Sequence, residues 1–156
     1  MDLVKGIKER RSIRKFQDKP IDRKLIEEIV ETARFAPSWK NTQIVRYLVV
    51  DDKEKIAAIA NSKCTYGFDY NIKAITGAPA VVILTFVEGR SGFDKDGSFS
   101  TPKGEGWQMF DAGIAAQTFC LAAHEKGLGT EAFVAFTNAP NSSAVRGNRG
   151  LGSLCS

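Results

Sequence analysis

Three arginines and a serine fall within five residues at Arg10-Arg11-Ser12-Ile13-Arg14, the first stretch of the chain whose side chains can do chemistry together. A guanidinium presents a planar fork of donors that matches phosphate oxygens two at a time, and Ser12 can add a hydroxyl and a backbone N–H to the same oxygens. The cluster reads as a site for a phosphorylated, electron-poor ligand. On charge alone a solvated basic turn would look the same. A second polar cluster, Ala36-Pro37-Ser38-Trp39-Lys40-Asn41-Thr42-Gln43, holds small and amide residues. Amides there can read the edge of a heteroaromatic ring, since each offers a donor and an acceptor in one plane. An ordinary helix-stop loop is the alternative.

Little else in the chain carries chemistry of its own. No nucleophile has a neighbouring base and no P-loop is present. His124, the one histidine, stands beside Glu125 and Lys126 near the end of a helical run, where the helix dipole suits it better than a catalytic role does. Asp94-Lys95-Asp96-Gly97-Ser98 faintly resembles a calcium loop but lacks the remaining acidic ligands. Cys64, Cys120 and Cys155 are widely separated and without a CxxC, so they support neither a disulfide framework nor a zinc site, and no metal site is expected. Any enzyme activity must then rest on a cofactor, with no catalytic side chain expected.

The elements that must position these clusters follow from periodicity. Asp2 caps a first helix carrying Leu3, Val4 and Ile7, which delivers the chain to Arg10 next to a core. Ile13 and Phe16 alternate with Arg14 and Gln17 in a short extended run. Pro20 and Asp22 start a second helix with Leu25, Ile26, Ile29, Val30 and Ala33 at helical spacing, ended by Pro37. Ile44 to Val50 reads as a core strand, Asp52 caps a short helix through Ala60, and the stretch from Asn61 to Thr76 is ambiguous. Ala80 to Val87 is a strand apolar on both faces, hence internal to a sheet. Glu88 to Gly106 reads as a long surface loop. Trp107 to Lys126 is the longest helix, apolar almost all round and so expected to be buried on most sides, with Gly127 as its C-cap. The GxGxxA spacing from Gly127 leaves a helix rather than a strand, which defeats a dinucleotide-fingerprint reading.

Composition sets the class. A chain of 156 residues with 43% hydrophobic residues can form one domain with a real core. Its 22 basic and 18 acidic residues, net +4, are mixed rather than blocked, which favours a small anionic ligand over nucleic acid. The N-terminus has no apolar signal core and no run approaches the ~20 apolar residues of a bilayer span, so no membrane association and a cytoplasmic location are expected.

Taken together, Arg10-Arg11-Ser12-Ile13-Arg14-Lys15-Phe16, Ala36-Pro37-Ser38 with Asn41 and Gln43, and Asp111-Ala112-Gly113-Ile114-Ala115-Ala116-Gln117 running into Lys126-Gly127-Leu128-Gly129-Thr130 resemble the FMN-dependent nitroreductase family. The resemblance implies an α+β fold, a mixed, largely antiparallel sheet flanked by helices, in a homodimer with FMN at each subunit boundary. It assigns Arg10, Arg11, Ser12 and Arg14 to one wall of the cofactor site, towards the phosphate and the pyrimidine edge. Pro37, Ser38, Asn41 and Gln43 form the other wall, approaching from the second copy, and Gly127 and Gly129 join the cofactor-binding set. The implied activity is passage of a hydride from NADH or NADPH through flavin to a small electron-poor acceptor such as a nitroaromatic or quinone. A flavin-binding protein without efficient turnover is the alternative.

The match departs at the C-terminal end. Residues 1–130 read as the FMN-binding domain and residues 131–156 as an atypical tail of that domain, truncated or frameshifted. After the alternating Phe133-Val134-Ala135-Phe136, the sequence turns to Asn138-Ala139-Pro140-Asn141-Ser142-Ser143 and a Gly/Arg-rich end whose Arg146 and Arg149 match no family motif.

Overall fold

A computed structural model of the chain describes residues 2–61 and 68–133. Its elements, in order, are α1 (Leu3–Glu9), α2 (Arg23–Ala33), a 3-10 turn (Trp39–Asn41), β1 (Val45–Val50), α3 (Lys53–Ala60), α4 (Asp69–Thr76), β2 (Val81–Phe86) and α5 (Gly106–Glu125). Three helices begin where an aspartate can satisfy an N-terminal amide. Asp2, Asp22 and Asp52 accept from the backbone N–H of Lys5, Lys24 and Lys55 at 2.9, 3.0 and 2.9 Å.

The chain groups into two compact units. The first, made of Met1–Ser12, Ile21–Leu48 and Val82–Thr130, is built on α5. Ile29 of α2 packs on Ala122 and Ala123, with Leu25, Phe119 and Leu128 closing around them. Alanines on α5 let the two backbones approach closely. The helix ends in a left-handed Gly127, φ 77°, whose N–H reaches the His124 carbonyl at 3.0 Å, while the Leu128 N–H reaches that of Ala123 at 2.9 Å. This paired closure satisfies the last carbonyls and turns Leu128 back into the core.

The Val87 N–H donates to the Ile44 carbonyl at 2.9 Å, so the start of β1 lies beside the end of β2 and the two run antiparallel. Along β1, Arg46 and Leu48 are exposed while Val45, Tyr47 and Val49 are half-buried, the alternation of a strand covered on one face. Helices and an antiparallel sheet make the fold α+β. In the second unit, drawn from Ile13–Pro20, Val49–Val81 and the residues from Glu131, α3 packs on α4. Ile56, Ala60, Ala74 and Ile75 are buried there, so the ambiguous stretch after Asn61 resolves into a helix from Asp69.

Three expectations change. Leu3, Val4 and Ile7 of α1 are 68%, 56% and 52% exposed, and Gly6 is what α1 buries. In α5 one face is open, with Met109 and Phe110 exposed beside Gly113 and Gln117, although the composition is apolar all round. The expected loop from Glu88 to Gly106 holds a tight hairpin. Phe93 bridges Phe99 with ring centroids 5.0 Å apart, and between them Gly97, φ 84°, donates to the Asp94 carbonyl at 3.0 Å. Asp-x-Asp-Gly is turn chemistry, which carries no periodicity to detect. At Gly92, φ 83°, a Cβ would stand 2.5 Å from the Gly104 carbonyl oxygen, so only glycine lets the two chain passages meet. The readings placed on Cys64 and on Val134 to Ser156, including Arg146, Arg149 and Cys155, lie outside the described residues.

Tyr47 stacks on Phe119, centroids 5.7 Å apart, and its buried hydroxyl has no partner among the described residues. Burial raises its pKa above the usual phenol value. The native state therefore holds this proton more tightly than the unfolded chain does. The resulting stability is complete below about pH 10 and is lost as the pH climbs through the raised native value. Tyr47→Phe is expected to be neutral or stabilising at pH 7, since it removes a buried, unpaired hydroxyl. Urea unfolding followed from pH 8 to 11 should show a smaller alkaline loss in the variant than in the parent; equal losses would contradict the assignment.

Candidate functional site

The arginine cluster opens where α1 closes. Arg10 is the C-cap, its N–H on the Gly6 carbonyl at 3.0 Å. Its guanidinium Nε is buried and has no hydrogen-bond partner among the described residues. Arg11 behaves differently, folding back so that one terminal nitrogen donates to the carbonyls of Lys8 and Arg10 at 2.6 and 2.8 Å. It therefore caps the helix with donors that the sequence had offered to a ligand. Ser12 is exposed and pairs through a parallel bridge with Thr130, which brings it beside Gly129 and the Gly127 turn. Two of the expected binding segments, residues 10–12 and 127–130, are thus joined by backbone. Arg14 belongs to the second unit, where Nε stands 3.3 Å from Glu131 Oε1 and the guanidinium lies over the Tyr70 ring, 5.6 Å from its centroid. The other carboxylate oxygen of Glu131 is buried without a partner.

The segment from Pro37 to Gln43 is strained and tightly fastened. Lys40, Asn41 and Gln43 all have positive φ, at 44°, 54° and 46°. Left-handed backbone costs a residue with a Cβ about 1 kcal/mol or more, so three in four residues persist only if surrounding structure fixes them. The fastenings are visible. The Ser38 hydroxyl oxygen accepts the Gln43 N–H at 2.8 Å across the turn. The Trp39 N–H donates to both oxygens of Asp111 on α5 at 3.0 and 3.1 Å. The Trp39 ring leans on Trp107, centroids 4.2 Å apart, and Trp107 in turn donates from its indole N–H to Thr101 Oγ1 at 2.7 Å. Lys40 reaches Asp94 at 3.3 Å. Hydrogen bonds from Ser100 and then Lys40 hold the Asp94 carboxyl below the usual range, and those from Ser98 do the same for Asp96. Both carboxylates of the supposed calcium loop are thus engaged within the hairpin.

Pro37, Ser38, Asn41 and Gln43 are held together as one turn, but no hydrogen bond or ion pair among the described residues joins that turn to Arg10, Arg11 or Ser12. Indole Nε1 of Trp39 and Oγ1 of Thr42 are buried and unpartnered, as Arg10 Nε is. Buried polar atoms are normally satisfied, yet both expected segments carry polar atoms that the described residues leave unmet, as Tyr47 and Glu131 also do elsewhere.

Sequence reasoning named Asp111 only within a family motif, without a role, and passed over Ser91. Asp111 is 2% exposed and also accepts the Ser91 hydroxyl at 2.6 Å, Ser91 being fully buried. One signal was available: Asp111 is the one charged residue in the mainly apolar run from Trp107 to Ala123. A charge in that setting needs partners from elsewhere in the fold. Gln108, one turn earlier on the same face, likewise accepts the Gly89 N–H at 2.9 Å.

The Nitroreductase family pattern matches residues 7–65 and 68–145, and the chain belongs to that family. A Methanothermobacter thermautotrophicus protein whose name pairs NADH dehydrogenase with NAD(P)H nitroreductase is 32% identical over 129 residues, covering 83% of this chain. The chain spans 59% of that relative's length. Among solved structures, a nitroreductase family protein from Clostridium novyi is similar with a TM-score of 0.71 and 28% identity, over 88% of this chain and 72% of that one. An FMN-dependent nitroreductase from Clostridium difficile is similar at a TM-score of 0.60 and 33% identity, over 81% and 63%.

The positive φ of Gln43 yields a direct test. Gln43→Gly relieves left-handed strain at a site whose side chain is exposed, and is expected to stabilise the protein by about 1 kcal/mol in urea unfolding. A loss of stability would mean that the Gln43 side chain holds the turn.

Proposed function

We propose that the protein is an NAD(P)H-dependent FMN oxidoreductase acting on a small electron-poor acceptor, a nitroaromatic or a quinone. The observation that carries the reading is the buried, unpartnered Nε of Arg10 at a helix exit, beside Ser12 and the Gly127 to Thr130 turn. A phosphate group fits it, since it would supply the acceptor oxygens that the described residues do not. The relatives' names point the same way, one to NAD(P)H and the other to FMN.

In this reading Arg10, Ser12 and the backbone near Gly127 and Gly129 hold the phosphate, with Arg11 buttressing the helix end from which Arg10 projects. Pro37, Ser38, Asn41 and Gln43 face the ring edge, where the orphaned Trp39 and Thr42 donors would also find acceptors. Bound FMN supplies the hydride chemistry that no side chain here can. The protein's own contribution is positional and electrostatic: Arg14, a fixed cation, favours negative charge at the ring edge. Residues 1–130 make up the binding domain and residues 131–156 an atypical tail of it. NADH and NADPH are intracellular donors, which is why the reading keeps the protein in the cytoplasm.

A second reading, flavin binding without efficient turnover, draws on the Arg14–Glu131 pair, which neutralises the cation the activity would use. Anaerobic mixing with NADH or NADPH separates the two, because bleaching of bound flavin supports the enzyme and binding without bleaching supports the second reading. Arg10→Ala and Ser12→Ala are expected to weaken FMN binding by about 1.5 to 3 kcal/mol, roughly 10- to 150-fold in Kd. Arg14→Ala should keep more of the affinity but slow the bleaching. Unchanged affinity in both of the first two variants sinks the assignment.

The same proposal includes a homodimer. The open face of α5, with Met109 and Phe110 exposed beside Gly113 and Ile114, and the exposed Leu3, Val4 and Ile7 of α1 are apolar surfaces that a second copy would cover. Light scattering over a dilution series should find the dimer and should show FMN strengthening it, as a ligand bound across a boundary does. A monomer at every concentration that still binds FMN tightly would place the whole site in one chain.

A further inference from the structure

We infer that Asp111 is the positioning residue of the ligand-facing turn: its buried carboxylate, backed by Ser91, latches the Trp39 amide and so holds residues 38–43 in place, with Lys40, Asn41 and Gln43 left-handed. The inference rests on the flavin reading only for what the turn faces. Its geometry stands independently.

Three observations converge. Asp111 is 2% exposed on an apolar helix, so its charge needs hydrogen bonds from its surroundings. The donors it receives are the Trp39 N–H, shared between both oxygens at 3.0 and 3.1 Å, and the Ser91 hydroxyl on Oδ2 at 2.6 Å. Trp39 immediately precedes the turn that carries Lys40, Asn41 and Gln43 at φ 44°, 54° and 46°. The remaining fastenings are weaker or shorter in range. Ser38 Oγ closes the turn on itself, and the Lys40–Asp94 pair has both side chains about half exposed, at 60% and 49%, where solvent weakens it. The Asp111 contact is therefore the hydrogen-bonded tie between the turn and α5, at a sequence separation of 72 residues, beside the Trp39–Trp107 ring contact on the same helix. A positioned turn costs a ligand less order on binding than a turn that must be gathered. The effect on affinity passes through the backbone of Trp39, so Asp111 itself need never touch the ligand.

The test compares Asp111→Asn, Asp111→Ala and Ser91→Ala with the parent by hydrogen–deuterium exchange, at a temperature where each is fully folded, and by titration with FMN. Asparagine keeps an oxygen that can accept the Trp39 N–H, so exchange in the peptide covering residues 38–43 should rise in the order parent, Asp111→Asn, Asp111→Ala. The alanine variant should be faster by about tenfold or more while α2 and the middle of α5 stay protected. FMN affinity should fall in the same order, again by about tenfold for alanine. Partial recovery by asparagine, confined to this peptide, is a result that general destabilisation does not produce. Unchanged exchange over residues 38–43 in Asp111→Ala overturns the inference. So does a rise spread evenly through α5 and the sheet, which makes Asp111 a residue of global stability. Should Asp111→Ala not fold, Ser91→Ala decides by the same readout, faster exchange in this peptide supporting the latch and no change overturning it. A parent protein that binds no FMN sinks the flavin reading, and the exchange ranking then still decides the latch.

Discussion

A carboxylate enters a protein interior only if hydrogen bonds meet it there, and Asp111 shows how much structure that requirement can organise. The helix carrying it is apolar and would, by composition alone, accept many neighbours. The charge removes that freedom. It demands a backbone amide and a hydroxyl, and the chain delivers them from Trp39 and Ser91, far apart in sequence. Gln108 adds a parallel constraint one turn away by taking the Gly89 amide. With both loops pinned to one face of α5, the Trp39 and Trp107 rings come into contact and the hairpin from Phe93 to Phe99 lies within reach of Lys40. Local polar satisfaction thus decides how the apolar scaffold is used.

The same constraint explains why strain is tolerated where it is found. Lys40, Asn41 and Gln43 are residues with side chains in a conformation that glycine would adopt at lower cost, and none of the three positions is glycine. The three side chains differ in what they do. Lys40 uses its own on Asp94, while those of Asn41 and Gln43 stand exposed. On the proposed function, those exposed amides on a fixed turn are the groups that would read a planar polar edge.

Much of this was legible in residue types. Asp2, Asp22 and Asp52 announce helix starts because a short carboxylate can reach an N-terminal amide, and Gly127 announces an end because it can take φ of 77°. The helical spacing of Leu25, Ile26 and Ile29 in α2 is equally plain, and the two polar clusters together with the run from Asp111 to Gln117 and from Lys126 to Thr130 indicated the family. What stayed hidden depends on partners distant in sequence. The hairpin at Gly97 carries turn chemistry inside a segment without periodicity. Apolar residues on α1 announce a buried face, yet Gly6 is what α1 buries and Leu3 stands in solvent. No rule of spacing predicts that Arg11 folds onto its own helix end while its neighbour keeps a buried nitrogen unpaired.

That division among the arginines carries the reading of the site further than their shared charge does. Three adjacent cations have the same long-range attraction for an anion, but binding strength comes from donors not already engaged. Arg11 has engaged a terminal nitrogen with two carbonyls, and Arg14 has its Nε against Glu131 and its plane over Tyr70. Arg10 has a buried Nε facing no acceptor among the described residues, a state that costs free energy until an acceptor arrives. Part of the gain on binding an anion is therefore relief of that cost, which an arginine already paired, or one free in water, cannot provide. On the proposed function Arg10 is the arginine with a donor left for an anion, whereas the charge of Arg14 is already paired with a carboxylate. The three arginines therefore differ in what they have left to offer, and a diffuse positive patch does not describe them.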